Sequence, residues 1–464
     1  MIRGEPAAPG AGPPAASRGG PPQLRLAAFW FGIYFLTGSF LSVVLPFLLV
    51  PEHPSASDPS LVDPGMKNTA LALLEGFGLV VALMVQPAAG AVSDRLWGRF
   101  GRRRPMMVVG VVLAVVSLVL TGMATTFWLL VITYCVLQVA TNVSQGAYQG
   151  LLPDLVTEEA DRSHASGLLG VAVLSGQVLG IVSAGLLAPR VVVLPIAVVL
   201  AVSAAVTVIG VREAPRTRPP RRRRTEPTAR RAAIRAYFAE FAAYPDFCLV
   251  VFSRFLIFTG LACVQRFAAN YLRDNYTQWR LFGAVDLGSA KGATAALFAI
   301  VILAGLLATY PAVRLAQRVG RRRVLVAAAI LGGLGTLSFS FAPDLGVILI
   351  EAIPIGVCFG MLVSVDWALM ADLAPADRAG KFLGFSNVAS VGAQSLVPFA
   401  MGPVIDRLDR DGGTAGYRVL FVVSFLFYGA GALALRGLRR ERLATDPGVA
   451  PAAVSERSRQ APRP

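Results

Sequence analysis

Twelve apolar runs follow one another along this chain, at approximately 26–50, 69–92, 105–124, 126–150, 165–188, 191–211, 247–270, 291–313, 324–342, 345–371, 381–404 and 417–436. A hydrocarbon layer about 30 Å thick needs about 20 residues of helix to cross it. Each run is of that order. In lipid a backbone N–H or C=O finds no water, so a crossing segment must pair its own polar groups, which a helix does and a lipid-exposed strand edge does not. The chain therefore reads as an all-α integral membrane protein with twelve transmembrane helices. Composition agrees, because 15% charged residues and a mean hydropathy of +0.62 could not clothe a water-soluble protein of 464 residues.

A net charge of +16 would suit a nucleic-acid binder, yet the basic residues lie between the apolar runs rather than along an amphipathic face. They read as topology signals, and no nucleic-acid partner is expected. If both termini are cytoplasmic, the cytoplasmic segments hold 33 of the 43 Lys and Arg and the outer loops hold eight, while Arg254 and Arg266 fall inside the seventh run. That bias obeys the positive-inside rule. It predicts a multi-pass plasma-membrane protein with both termini cytoplasmic, whose loop arginines meet anionic headgroups at that face.

The chain is also duplicated. "SDRLWGRFGRRRP", Ser93 to Pro105, shares its frame of Arg, Leu, Arg, Gly and triple Arg with "AVRLAQRVGRRRV", Ala312 to Val324, 219 positions later. Val313 stands where the first copy has Asp94. "PDLVTEEADR" and "ADLAPADR" place Asp154 and Asp372 218 residues apart. Two loops at one offset predict two six-helix halves, the architecture in which halves rock about a midplane site. The expected organisation is a disordered tail at 1–22, a first half at 23–211, a basic cytoplasmic linker at 212–246, a second half at 247–436 and a disordered tail at 437–464.

The segment "GAVSDRLWGRFGRRRP" resembles the loop signature of the major facilitator superfamily, and its spacing is similar to that of the sucrose/proton and glycoside–cation symporters. "SQGAYQGLLPDL" is similar to a second segment of those symporters, through Gln145, Gly146, Leu151, Asp154 and Leu155. Tyr148 stands where they carry an arginine, and the fourth run holds no acid, so their coupling mechanism does not transfer directly. The resemblance implies the major facilitator fold, a cavity lined by runs one, four, seven and ten, and an alternating-access carrier of a small organic solute such as a sugar or glycoside. It also implies a conformational latch made by Gly90, Asp94, Arg95, Gly101, Arg102 and Arg103. Asp94 suits a helix N-terminus, whose dipole favours an anion; a purely topological role for the arginines is the plainer alternative.

Polar groups at membrane depth mark the candidate site, since burying them is costly. Gln138, Asn142, Gln145 and Gln149 form one helical stripe on the fourth run. Amides both donate and accept, which suits a hydroxyl-rich solute, although amides also bond helix to helix. Tyr34 and Thr37 on the first run, Gln265 on the seventh and Trp367 on the tenth complete the expected solute contacts. Trp30 reads as an interfacial belt residue.

Charges at matched depth predict two interhelical pairs, Arg254 with Asp366 and Arg266 with Glu351, which either gate the cavity or hold one half rigid. Coupling to a proton or another cation needs a titrating group, and the two histidines lie in loops. Glu75, Glu351 and Asp366 are the candidates, and Glu351 ranks first because a mobile arginine partner would let it take a proton. The four cysteines have neither disulfide nor metal spacing, and no nucleotide loop, zinc helix or nucleophile elbow appears, so no metal, no cofactor and no enzyme are expected. A drug or metabolite exporter of the same superfamily and a non-transporting solute sensor are the other readings.

Overall fold

The computed structural model describes residues 22–55, 58–93, 101, 103–149, 151, 159–211, 241, 243–283, 285–374, 379–410 and 413–438. The expected tails and linker lie outside these residues except at their edges, as do Asp94, Arg95 and Arg102 of the expected latch. Side chains at 22, 87, 91, 159–167, 371, 379–381, 383–384, 387–389, 391 and 395–398 are also outside the description.

Twelve long helices follow in order among the described residues. Helix α1 joins Pro22–Leu36, a π-helical stretch Thr37–Val44 and Leu45–Leu49. Next come α2 (Lys67–Ser93), α3 (Arg104–Gly122), α4 (Phe127–Gln149), α5 (Glu159–Leu186) and α6 (Pro189–Gly210). The second set is α7 (Pro245–Asn275), α8 (Ala290–Val319), α9 (Arg321–Ser338), α10, α11 (Ala379–Leu408) and α12 (Ala415–Arg436). Helix α10 joins Leu345–Met361, a π-helical Leu362–Asp366 and Trp367–Leu373. A hairpin of Arg280–Leu281 and Val285–Asp286 decorates the loop after α7.

Ten of these helices are long and apolar enough to cross a membrane by length and composition. The other two are α9, which opens on Arg321, Arg322 and Arg323, and α11, which carries Lys381, Asn387 and Gln394. Both nevertheless pack among the rest as full-length members.

The main pairings within α1–α6 recur six helices later. Helix α1 packs on α5 and α6 as α7 packs on α11 and α12; α4 touches α2 and α3 as α10 touches α8 and α9; α3 meets α6 as α9 meets α12. The two sets join along two seams, α2 against α11 and α5 against α8. The repeated sequence frame has a physical basis too. Its glycine turns the chain at φ 83° in the first copy (Gly101) and φ 94° in the second (Gly320), a backbone region where a Cβ is disfavoured.

Small residues let helices approach closely where lipid supplies no hydrophobic drive between them. Gly176 and Gly180 of α5 lie so tightly on the Phe31 and Phe35 carbonyls of α1 that a methyl group at either would overlap them. Gly356 and Gly360 of α10 lie in the same way on the Val301 and Gly305 carbonyls of α8.

Candidate functional site

Helix α1 begins and α12 ends at one face, here the terminal face, and the loops 50–66, 123–126, 187–188, 276–289, 339–344 and 409–414 mark the opposite, distal face. Two helices are far more enclosed than the rest. The most apolar stretch of α1 is 78% buried and that of α7 is 72% buried, against 50% or less in the other eight spans, so these two run through the middle of the bundle.

On α1, the partly exposed Trp30, Tyr34 and Thr37 share one face. The Trp30 ring lies 5.5 Å from that of Tyr34 and 5.5 Å edge-on from that of Tyr148. Trp30 is thus packed inside the protein, and the expectation of a belt residue is corrected: a central helix has protein on the side where an outer helix would have lipid. Tyr148, at the arginine position of the symporter motif, is buried, stacks on Phe29 at 4.7 Å and donates to the Leu26 carbonyl at 2.8 Å.

The predicted polar residues divide by whether their donors are already occupied. Thr37 donates to the Ile33 carbonyl at 2.6 Å, Gln138 to the Tyr134 hydroxyl at 2.7 Å, and Asn142 to the Gln138 carbonyl at 2.8 Å. The side chains of Tyr34, Gln145 and Gln265 make no hydrogen bond among the described residues. A fourth such group, Gln177 of α5, escaped the sequence reading. It shares with Gln265 a small cavity of about 50 Å³ between the two helix sets, walled by apolar residues including Phe298, Ile302 and Phe359. Its one sequence signal is an amide set directly after Gly176 and three residues before Gly180, where α5 presses on α1.

Among the described residues, two ion pairs lie within the apolar spans. Arg254 meets Asp366 at 2.7 Å, with side chains 4% and 5% exposed. The Arg254 Nε also donates to Ser390, and its guanidinium lies 5.1 Å from the Phe258 ring centroid and 4.8 Å from that of Trp367. Trp367 itself is 42% exposed, so it shields the pair on one side while its ring stays accessible. Asp366 closes the π-helical stretch of α10 and Thr37 opens that of α1, and such widened turns often accompany functional sites.

The second expected pair is not formed. Arg266 binds Glu75 of α2 at 2.9 Å, across the two helix sets, while Glu351 lies by Ser338. Matched depth left the direction around each helix undetermined, and α7 turns Arg266 towards α2 rather than α10. One oxygen of Glu75 and the Nε of Arg266 are buried without a hydrogen-bond partner. Tyr134 lies within electrostatic range of both charges, which connects this pair to Gln138.

Of the expected latch, Gly90 faces Gly146 where α2 and α4 cross, Gly101 supplies the positive φ and Arg103 is buried. In the second copy, whose frame has Val313 at the position of the acid, Arg321 pairs with Asp372 and donates to the Ala368 carbonyl at 2.8 Å.

Apart from the Glu75–Arg266 pair, the polar contacts that join α1–α6 to α7–α12 among the described residues gather towards the distal face. Asn68 of α2 is a hub: it accepts from Asn270 at 2.7 Å and donates to Asp406 at 2.9 Å and to Tyr417 at 3.2 Å. Tyr417 donates to Asp274 at 2.7 Å, and Lys67 pairs with Asp274 at 2.8 Å. Beyond Lys67, one of the eight basic residues of the outer loops, none of these residues drew notice in the sequence, since polar residues beside loops look like ordinary surface.

A family profile described as the Major Facilitator Superfamily matches residues 27–272 and 281–461. The sucrose transport protein SUC4 of Arabidopsis thaliana is 28% identical over 174 residues, 34% of this chain and 32% of that protein. The general alpha-glucoside permease of Schizosaccharomyces pombe is 29% identical over 164 residues, 31% of this chain and 29% of that protein. The match thus spans about a third of the length of these two relatives. YuxJ of Bacillus subtilis, an uncharacterised transporter of the MFS type, is 23% identical over 422 residues, 88% of this chain and 96% of that one. Among solved structures, the nucleoside transporter NupG superposes with a TM-score of 0.66 at 13% identity, covering 90% of this chain and 98% of that one. The D-xylose-proton symporter gives 0.64 at 16% identity, with coverage of 90% and 97%. At such identities the likeness is one of fold. Duplicated helix packing, enclosed α1 and α7, and a profile that spans nearly the whole sequence agree: the chain belongs to the Major Facilitator Superfamily.

Proposed function

We propose that this protein carries a neutral, hydroxyl-bearing solute, a sugar or glycoside, across the plasma membrane by alternating access, with transport coupled to a proton or another cation. The observation that carries the reading is a set of uncharged polar groups on α1, α4, α5 and α7 that make no hydrogen bond among the described residues: the Tyr34 hydroxyl and the amides of Gln145, Gln177 and Gln265. Amides and phenols donate and accept at once, as a polyol requires, and rings such as Trp30 and Trp367 offer faces for a sugar's C–H surface. The sucrose and alpha-glucoside names of the two partial relatives support the same solute class. By the positive-inside rule the terminal face is cytoplasmic.

For coupling, Glu75 takes the place that Glu351 holds in the sequence reading. Glu351 lacks the arginine that ranked it first, whereas Glu75 is bound to Arg266 across the two sets and must part from it whenever they separate at that depth. A carboxylate alternately paired and unpaired is a group that can gain and lose a proton once per cycle.

The test is uptake of radiolabelled disaccharides, glycosides and hexoses into proteoliposomes, with and without an inward proton gradient. Gradient-driven accumulation of one sugar is expected, and Glu75→Gln should abolish accumulation while leaving equilibration of the same sugar. Silence across the sugar panel, with flux of a lipophilic cation instead, would overturn the reading and favour an exporter.

A further inference from the structure

The distal seal contains an arrangement that the shared frame at the other face does not explain. Helix α2 starts at Lys67, and its early N–H groups have no partner within the helix. Two of them are taken by a residue of the opposite set: Asp406, near the end of α11, accepts from the Asn68 N–H at 3.2 Å through Oδ1 and from the Thr69 N–H at 2.7 Å through Oδ2. Helix α8 is the counterpart of α2, since the two copies of the arginine frame follow α2 and α8. Its first N–H, that of Ala290, is again taken from the other set, by Glu52 Oε1 at 2.7 Å from the loop after α1.

Each of the two seams is therefore closed by a carboxylate from one half on the first turn of an equivalent helix in the other. The α2–α11 seam has Asp406, and the α5–α8 seam has Glu52 beside Lys291, which donates to the Leu187 carbonyl at 2.9 Å. A helix start carries partial positive charge, so a carboxylate there is held by both hydrogen bonds and the dipole. Both partners would be satisfied by water if the halves separated, which makes the contact reversible in a way that buried packing is not.

We propose that Glu52 and Asp406 are the paired gate residues of the transport cycle. Each caps the opposite half only while the distal face is shut, and together they set how often that face opens. The proposal does not depend on which solute is carried.

Double electron–electron resonance tests it, with spin labels at Trp128→Cys and Phe341→Cys in a full-length chain whose four native cysteines are replaced by alanine. Both label positions are well exposed, at 69% and 79%, at the distal ends of opposite halves. The parent should show mainly one distance. Removing a helix cap shifts such an equilibrium by about five-fold, so Asp406→Ala and Glu52→Ala should each raise the ratio of a second, longer distance by about that factor. The double variant should raise it by roughly the product, because the seams are separate. A distance distribution unchanged in the double variant overturns the proposal. Loss of fold would appear as a broad distribution without a discrete second peak. In that case Asp406→Asn and Glu52→Gln, which keep an acceptor oxygen but lose the charge, are read in the same way. A discrete longer peak in that pair supports the proposal, and identity with the parent overturns it.

Discussion

Arg254 is enclosed by a carboxylate, a hydroxyl and two aromatic rings, in a bundle where an unpaired charge has little access to water. Removing one partner of such a pair costs about 3–5 kcal/mol, because the other stays buried alone, whereas replacing both by apolar groups is often neutral. Asp366→Leu alone should therefore lower the thermal unfolding temperature in detergent sharply. The double variant Arg254→Met/Asp366→Leu should recover most of that loss. If the double variant folds but no longer transports, the pair serves the cycle; if it transports normally, the pair is structural. The sequence made this pairing legible because depth along α7 and α10 left few partners for either charge. It misassigned Arg266 because Glu75 and Glu351 lie at similar depths, and only the rotation of α7 distinguishes them.

Among the helices, contact is governed as much by what is missing as by what is present. The Gly176 and Gly180 pair of α5 lets the α1 backbone come into direct contact, and a methyl group there would have to displace a carbonyl rather than a side chain. Overfilling of this kind costs about 1–3 kcal/mol or more. Gly180→Ala should reduce stability by at least that amount, as read by thermal unfolding, and should perturb solute binding through the neighbouring Gln177. Gly170, on the same helix with open space around it, should tolerate alanine with no measurable change. Helix number, order and duplication were all legible, since each follows from run length and a repeated frame. The glycine contacts were not, because a glycine in an apolar run looks alike whether it faces lipid or a neighbouring backbone. Glu52 and Asp406 were hidden for a related reason: a helix cap supplied from the other half leaves no local spacing to recognise.

For the molecule as a whole, a distal polar cluster sets the contacts between the two sets apart from those within them. Within each set of six, helices are joined by long apolar interfaces and close glycine crossings; between the sets, two seams with close glycine contacts of their own, such as Gly402 on the Asn68 carbonyl, are joined by a polar cluster at the distal face. Rigid units joined by exchangeable polar contacts are what a rocking carrier needs, since the polar groups find water when they part and their own partners when they return. The recurrence of each main pairing six helices later has a practical corollary. Every one of those pairings lies wholly before residue 212 or wholly after residue 240, so continuity of the polypeptide between these points is not what builds either unit. Two separate open reading frames, divided within 212–240 and expressed together, should yield fragments that insert, find each other and copurify through an affinity tag carried by only one of them. Recovery of the tagged piece by itself would show that covalent connection, rather than the fit between two finished surfaces, keeps the carrier whole.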